Sequence, residues 1–169
     1  MKEFLIVDGY NIINSWPELV ELKNKSFAHA REKLVDILSD LQGVTQAKTI
    51  VVFDGLNVKG GLESHEEIGG IQIIFTQEGE TADALIERLV GRLPPAAMIA
   101  VATSDWAEQR LVFGKGAYRL SARDLYDKVK EVRLHTGEYV SSGSLEPVNL
   151  YTNLNDDVKD TLEKLRRGK

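Results

Sequence analysis

Phe4-Leu5-Ile6-Val7-Asp8-Gly9-Tyr10-Asn11, near the start of the chain, reads as a buried strand running into a charged turn. Four apolar residues follow one another without alternation, then come an aspartate and a glycine. An unbroken apolar run suits a strand covered on both faces, as in a parallel sheet between layers of helix. Asp8 then stands at the carboxyl end of that strand, the edge at which open α/β sheets hold their ligands. Asn11 lies on the same loop in this reading and can point at the same ligand. The plainer alternative is a turn with a self-satisfied carboxylate. The pattern recurs, however. Thr49 to Phe53 is a second apolar strand, and it ends in Asp54-Gly55.

Further strands are expected at Ile71 to Phe75, Met98 to Ala102 and Tyr118 to Leu120. Helices are expected between them. Pro17 can open a short one. Ser26 caps another, with Phe27, Ala30, Leu34, Ile37, Leu38 and Leu41 on one face and Gly43 at its end. Thr81 caps a third, carrying Ala82, Leu85, Ile86, Leu89 and Leu93, and Pro94-Pro95 stops it. Ser121 caps a fourth, with Ala122, Leu125, Val129 and Val132 inward. Residues 55–70 read as a long exposed loop, and His65 within it as a solvated histidine among glutamates. Residues 134–151 carry turn signals and suggest a hairpin or an irregular arm. Residues 155–167 read as a last helix, Asn-capped and ending in Arg166 and Arg167. Strands alternating with helices predict an α/β fold, a three-layer α/β/α arrangement on a mainly parallel sheet. One domain over residues 1–169 accounts for the chain, which shows no repeat, linker or low-complexity segment.

Composition narrows the chemistry. There is no cysteine, so disulfides and thiolate metal sites are excluded. The apolar run before Asp8 is too short for a signal-peptide core, and no run approaches transmembrane length. A cytoplasmic protein is the expectation. The formal net charge of −5 argues against a protein that coats nucleic acid nonspecifically, but not against an enzyme that acts on it. There is no Gly-x-Ser-x-Gly elbow, no phosphate-binding P-loop and no dinucleotide glycine fingerprint. An aspartyl-phosphate transferase would want a second aspartate two residues after Asp8, where Tyr10 stands.

What remains is a set of carboxylates. Asp8, Asp54 and Asp105 follow predicted strand ends directly or closely, and Asp83 opens the helix after another strand. In a parallel sheet with right-handed connections these positions share one edge. Each has a local alternative: Asp83 complements its helix dipole, and Asp105 caps the next helix with Glu108 three residues on. Together they would repel and raise one another's pKa unless a cation held them. Oxygen-only ligands favour Mg²⁺ or Mn²⁺, ions that activate water and stabilise a leaving oxygen.

These residues resemble the NYN family, PIN-like metal-dependent ribonucleases. The resemblance rests on Val7-Asp8-Gly9-Tyr10-Asn11, Phe53-Asp54-Gly55, Thr81-Ala82-Asp83 and Thr103-Ser104-Asp105, in that order. It is greatest to the bacterial YacP-type members, which include a ribosome-associated endoribonuclease. It implies a PIN-like α/β/α fold and a Mg²⁺ or Mn²⁺ site that cleaves single-stranded RNA. It implies that Asp8, Asp83 and Asp105 bind the metal, that Asp54 is a further acidic position, and that Asn11 is their polar companion. It also implies messenger RNA engaged by the ribosome as substrate. A noncatalytic RNA- or ribosome-binding module on the same fold is the alternative.

RNA needs cations to meet it. Residues 110–133 hold seven basic residues against three acidic ones. Arg110, Lys115, Arg119, Arg123, Lys128 and Lys130 are the candidates for phosphate contacts, with Arg133 beyond them. Tyr118 and Tyr126 are interleaved and offer stacking surfaces, or else belong to the core.

Overall fold

A computed structural model of the chain describes residues 2–55, 61–103 and 117–142, with side chains to residue 134. In order the elements are β1 (Glu3–Asp8), α1 (Gly9–Ile13), α2 (Pro17–Lys25), α3 (Phe27–Thr45), β2 (Lys48–Phe53), β3 (Ser64–Ile68), β4 (Ile71–Phe75), α4 (Ala82–Arg92), β5 (Met98–Ala102), β6 (Tyr118–Leu120) and α5 (Ala122–Ser142). The strands form one six-stranded sheet in the order β3-β4-β2-β1-β5-β6. All pairings are parallel except that of β3 with β4.

The continuous apolar runs behave as strands buried on both faces must. In β1, Leu5 and Val7 point into one core, while Phe4 and Ile6 point into the other. β2 divides likewise, with Val51 and Phe53 on one side and Ile50 and Val52 on the other. Helices α1, α2, α3 and α5 supply the first core through Ile12, Leu19, Leu38 and Leu125. Helix α4 covers the opposite face with Ala82, Leu85, Ile86 and Val90. The result is the three-layer α/β/α arrangement expected. Trp16, buried at the entry to α2, donates its Nε1 hydrogen to the Ala122 carbonyl at 2.8 Å and so ties the start of α5 to α2.

The caps named from sequence form. Ser26 Oγ accepts from the His29 N–H at 3.3 Å, Thr81 Oγ1 from Ala84 at 3.2 Å and Ser121 Oγ from Asp124 at 3.0 Å. Three expectations change. Helix α3 runs past Gly43 to Thr45, and the left-handed residue that ends it is Gln46 (φ 65°). Gly43 is exposed and has open space around it, so nothing there forces a stop. The expected 55–70 loop contains β3, an edge strand exposed along its whole length. It gave no apolar alternation because neither of its faces is covered. Residues 134–142 continue α5 as helix rather than forming a hairpin. The helix expected at 155–167 lies outside the described residues.

Candidate active site at the carboxyl edge of the sheet

Asp8 is the last residue of β1 and the N-cap of α1. Its backbone is extended (φ −76°, ψ 98°), and its Oδ1 accepts the Asn11 N–H at 3.4 Å. The helix-capping turn and the strand-end aspartate singled out from sequence are therefore one structure. Asn11 is not on the loop that the sequence suggests but in the first turn of α1, because the chain begins to coil directly after Asp8. Ser15 Oγ donates to the Asn11 carbonyl at 2.7 Å and steadies this turn.

The sheet register brings the other strand ends alongside. Asp8 lies opposite Val52 of β2, and Val7 opposite Ala102 of β5. The carboxyl ends of β2, β1 and β5 therefore stand side by side, with β1 in the middle. The chain leaves β1 for one side of the sheet and later returns through α4 to the other, which is the switch point where open α/β sheets hold ligands. Asp54 follows β2 at once. Thr103, buried, follows β5 and leads to Asp105, which lies outside the described residues.

Asp54 and Gly55 are fastened to Thr76, the residue after β4. The Thr76 N–H donates to the Phe53 carbonyl at 3.0 Å, and Thr76 Oγ1 accepts the Gly55 N–H at 2.8 Å. Thr76 Oγ1 also stands 3.5 Å from Asp54 Oδ1. A Cβ on Gly55 would sit 2.2 Å from the Thr76 carbonyl oxygen, so only glycine allows this approach. Thr76 was not singled out from sequence. A lone threonine after a strand carries no motif, and only the sheet order places it beside Asp54.

Asp83 stands in the first turn of α4, partly buried, where the chain turns back from the carboxyl end of β4. Glu80, just ahead of the helix, has a partner in Arg88 of α4 at 2.8 Å. Arg88 also meets Glu63 at 2.5 Å, and Glu63 in turn meets His65 Nε2 at 2.7 Å. The Arg88 hydrogen bond, and secondly that of His65, hold the Glu63 carboxyl below its ordinary range. The same bond to Glu63, and then that to Glu80, raises Arg88. His65 is thus exposed on an edge strand, not in a loop, and engaged by a glutamate.

Asp8, Asn11, Asp54 and Asp83 offer only oxygen donors or an amide, the donor set a hard divalent cation takes. Among the described residues no group of three or more His, Asp or Glu side chains is gathered closely enough to hold a metal ion. Asp8, Asp54 and Asp83 therefore share an edge without closing into such a group by themselves.

The basic segment divides. Arg119 of β6 is partly buried, and its Nε donates to the Thr103 carbonyl at 3.1 Å, which brings this cation to the carboxyl end of β5. Arg123 and Lys130 are exposed, and Lys130 Nζ lies 4.5 Å from the centre of the Tyr126 ring. Lys128 is corrected: it is buried and meets Glu131 at 3.4 Å, because its position on α5 faces the core. It does not offer its ammonium to a phosphate from the surface. Tyr118 is fully buried and belongs to the core, and Tyr126 packs on Trp16 with ring centres 5.2 Å apart. Arg133 pairs with Glu18 at 3.8 Å. Arg110 and Lys115 lie outside the described residues.

Comparisons with known proteins agree with this architecture. A family model described as the YacP-like NYN domain matches residues 5–167. The YacP protein of Bacillus subtilis strain 168, described as uncharacterized, is 42% identical over 167 residues, covering 98% of each chain. Two crystal structures of Rae1 (YacP) from Bacillus subtilis are each 40% identical. One matches with a TM-score of 0.70 over 98% of this chain and 95% of the other. The second, of a mutant form of that protein, matches with a TM-score of 0.69 over 98% and 96%.

Proposed function

This chain belongs to the YacP-like NYN domain family, and from that premise we propose that it is a metal-dependent endoribonuclease of single-stranded RNA. Membership implies a nuclease-like, RNA-related role. The observation that carries the finer reading is the position of Asp8 at the end of β1, between the ends of β2 and β5 that lead to Asp54 and Asp105. Asp8, Asp83 and Asp105 would hold Mg²⁺ or Mn²⁺, with Asp54 beside them. Such an ion supplies charge for the phosphodiester oxygens and lowers the pKa of a bound water.

The chain's own residues then have separate tasks. The Asn11 N–H orients the Asp8 carboxylate, and the Asn11 amide is suited to a water or a phosphate oxygen. Thr76 and Gly55 fix the Asp54 backbone. Arg119, held at the end of β5, supplies positive charge toward a phosphate approaching that edge. The substrate class is messenger RNA, engaged on the ribosome in the cytoplasm. We expect cutting of a translated messenger RNA, ribosomes present, in Mg²⁺ or Mn²⁺. No cutting is expected when divalent metal is withdrawn under conditions that keep the ribosome intact. Cutting that continues without metal would overturn the metal assignment.

The alternative is a noncatalytic RNA- or ribosome-binding module on the same fold. This reading requires ribosome co-sedimentation that survives both loss of the aspartates and withdrawal of metal, with no RNA cut.

A further inference from the structure

A cavity of about 300 Å³ opens between α3 and the β3–β4 hairpin. It is not formed by the carboxylates, yet it borders their edge. Phe53 and Phe75 line it, and each is the last residue of its strand. Their rings stack, with centroids 5.4 Å apart and planes at 28°. Arg31 of α3 lines it too, and its Nη1 donates to Tyr10 Oη at 3.3 Å. Tyr10 stands between Asp8 and Asn11 in the chain, and its ring lies 5.1 Å from that of Phe53. The mouth is open: Ile68 of β3 lines it and is half exposed. Glu32 and Asp36 line it from α3 and Glu66 from β3, all exposed.

We propose that this cavity receives one unstacked base of the RNA and prefers a base bearing an exocyclic amino group. The proposal rests on the RNA-acting reading above and adds to it a base-specific subsite. Its volume is at the small end of ligand pockets, the range for a nucleoside rather than a larger molecule. Phe53 is fully buried, so the surfaces open to a base are the partly exposed Phe75 ring and the Arg31 guanidinium, the kinds of surface on which proteins stack unpaired bases. Three carboxylates against one arginine repel a phosphate, so the neutral base enters and the backbone stays outside, toward Asp8. Carboxylates accept hydrogen bonds from the amino groups of adenine, cytosine and guanine. Uracil has no exocyclic amino group, and its one donor, N3–H, lies between two carbonyl oxygens that a carboxylate repels, so it pairs less well there. The cavity is therefore a device for choosing which nucleotide stands next to the cleaved bond.

The test is binding of free nucleosides to the full chain, followed by the backbone amide NMR signals of Ala28, Arg31 and Ile68. Adenosine and cytidine are expected to shift these signals to saturation, at concentrations at least about fivefold lower than uridine requires. The double variant Glu32→Gln with Glu66→Gln should lose that preference, and Arg31→Ala should weaken all three nucleosides. Both glutamates and the arginine lie at the surface side of the cavity, so these variants keep the core. Unmoved signals with every nucleoside would overturn the proposal, as would a preference that survives in the double variant. RNA cleavage is measured separately. A protein that cuts RNA with these amides silent has lost the cavity alone. One that binds adenosine here but cuts nothing keeps the cavity on a noncatalytic module.

Discussion

The Phe53 ring occupies the space beside Gly9, so that a Cβ on Gly9 would stand 2.2 Å from Phe53 Cε1. Phe53 precedes Asp54, and Gly9 follows Asp8. The residue before the second aspartate-glycine step thus packs on the glycine of the first, across the β1–β2 pair, and each glycine has its own steric cause, Phe53 at Gly9 and the Thr76 carbonyl at Gly55. Gly9→Ala must move a ring that is itself fully buried and stacked on Phe75. Overpacking of this kind costs about 1–3 kcal/mol. Urea unfolding should register a loss in that range, with an unchanged dependence on denaturant.

Thr76→Val removes the hydroxyl that accepts the Gly55 N–H and meets Asp54, while keeping the shape of the side chain. Leaving that N–H without its partner costs about 1–3 kcal/mol. The expected signature is a loss of stability together with reduced RNA cleavage, since the Asp54 step loses its anchor. Full activity in a destabilised protein would separate Asp54 from the site.

Stability should fall in acid partly through Glu63. Its folded pKa is lowered by Arg88 and His65, with Glu80 on the same arginine. A lowered folded value means that the contribution is complete above the ordinary glutamate range. It is lost as pH falls through the lowered value. These groups are partly exposed, so the effect is modest, up to about 1 kcal/mol. Glu63→Gln should be less stable than the parent at pH 7, and the difference should narrow toward zero well below the ordinary glutamate range of about 4.3. A difference independent of pH would show that the charge contributes nothing.

Mn²⁺ binding offers a readout free of RNA. Asp8→Asn and Asp105→Asn should each weaken it by at least about tenfold, measured by calorimetry or by the electron paramagnetic signal of the free ion. Unchanged binding in both would remove them as ligands.

The parallel sheet was legible because its strands are buried on both faces, and burial writes itself as unbroken apolar runs such as Phe4–Val7 and Thr49–Phe53. Helix starts were legible because Ser26, Thr81 and Ser121 each satisfy a backbone N–H locally. The edge strand β3 was not, since Ser64 to Glu67 are polar and their pairing with β4 depends only on backbone. The anchor of Asp54 was hidden for a related reason. Thr76 lies far along the chain and becomes its neighbour only through the β2–β4 pairing. Lys128 misled because charge is visible in a sequence while the direction of one helix face is harder to see. Asp8 and Asp54 were singled out through their position after strands, and the strand ends of β1 and β2 stand where that reasoning put them.

The most direct measurement compares the parent with Asp8→Asn on a translated messenger RNA, with ribosomes and Mg²⁺ or Mn²⁺ present. Asparagine is as good an N-cap as aspartate, so α1 should form and the fold should stay within about 0.5 kcal/mol. The account predicts cleavage by the parent and a loss of at least about a hundredfold in the variant, with ribosome co-sedimentation retained by both. Cleavage by Asp8→Asn at the parental rate would contradict it.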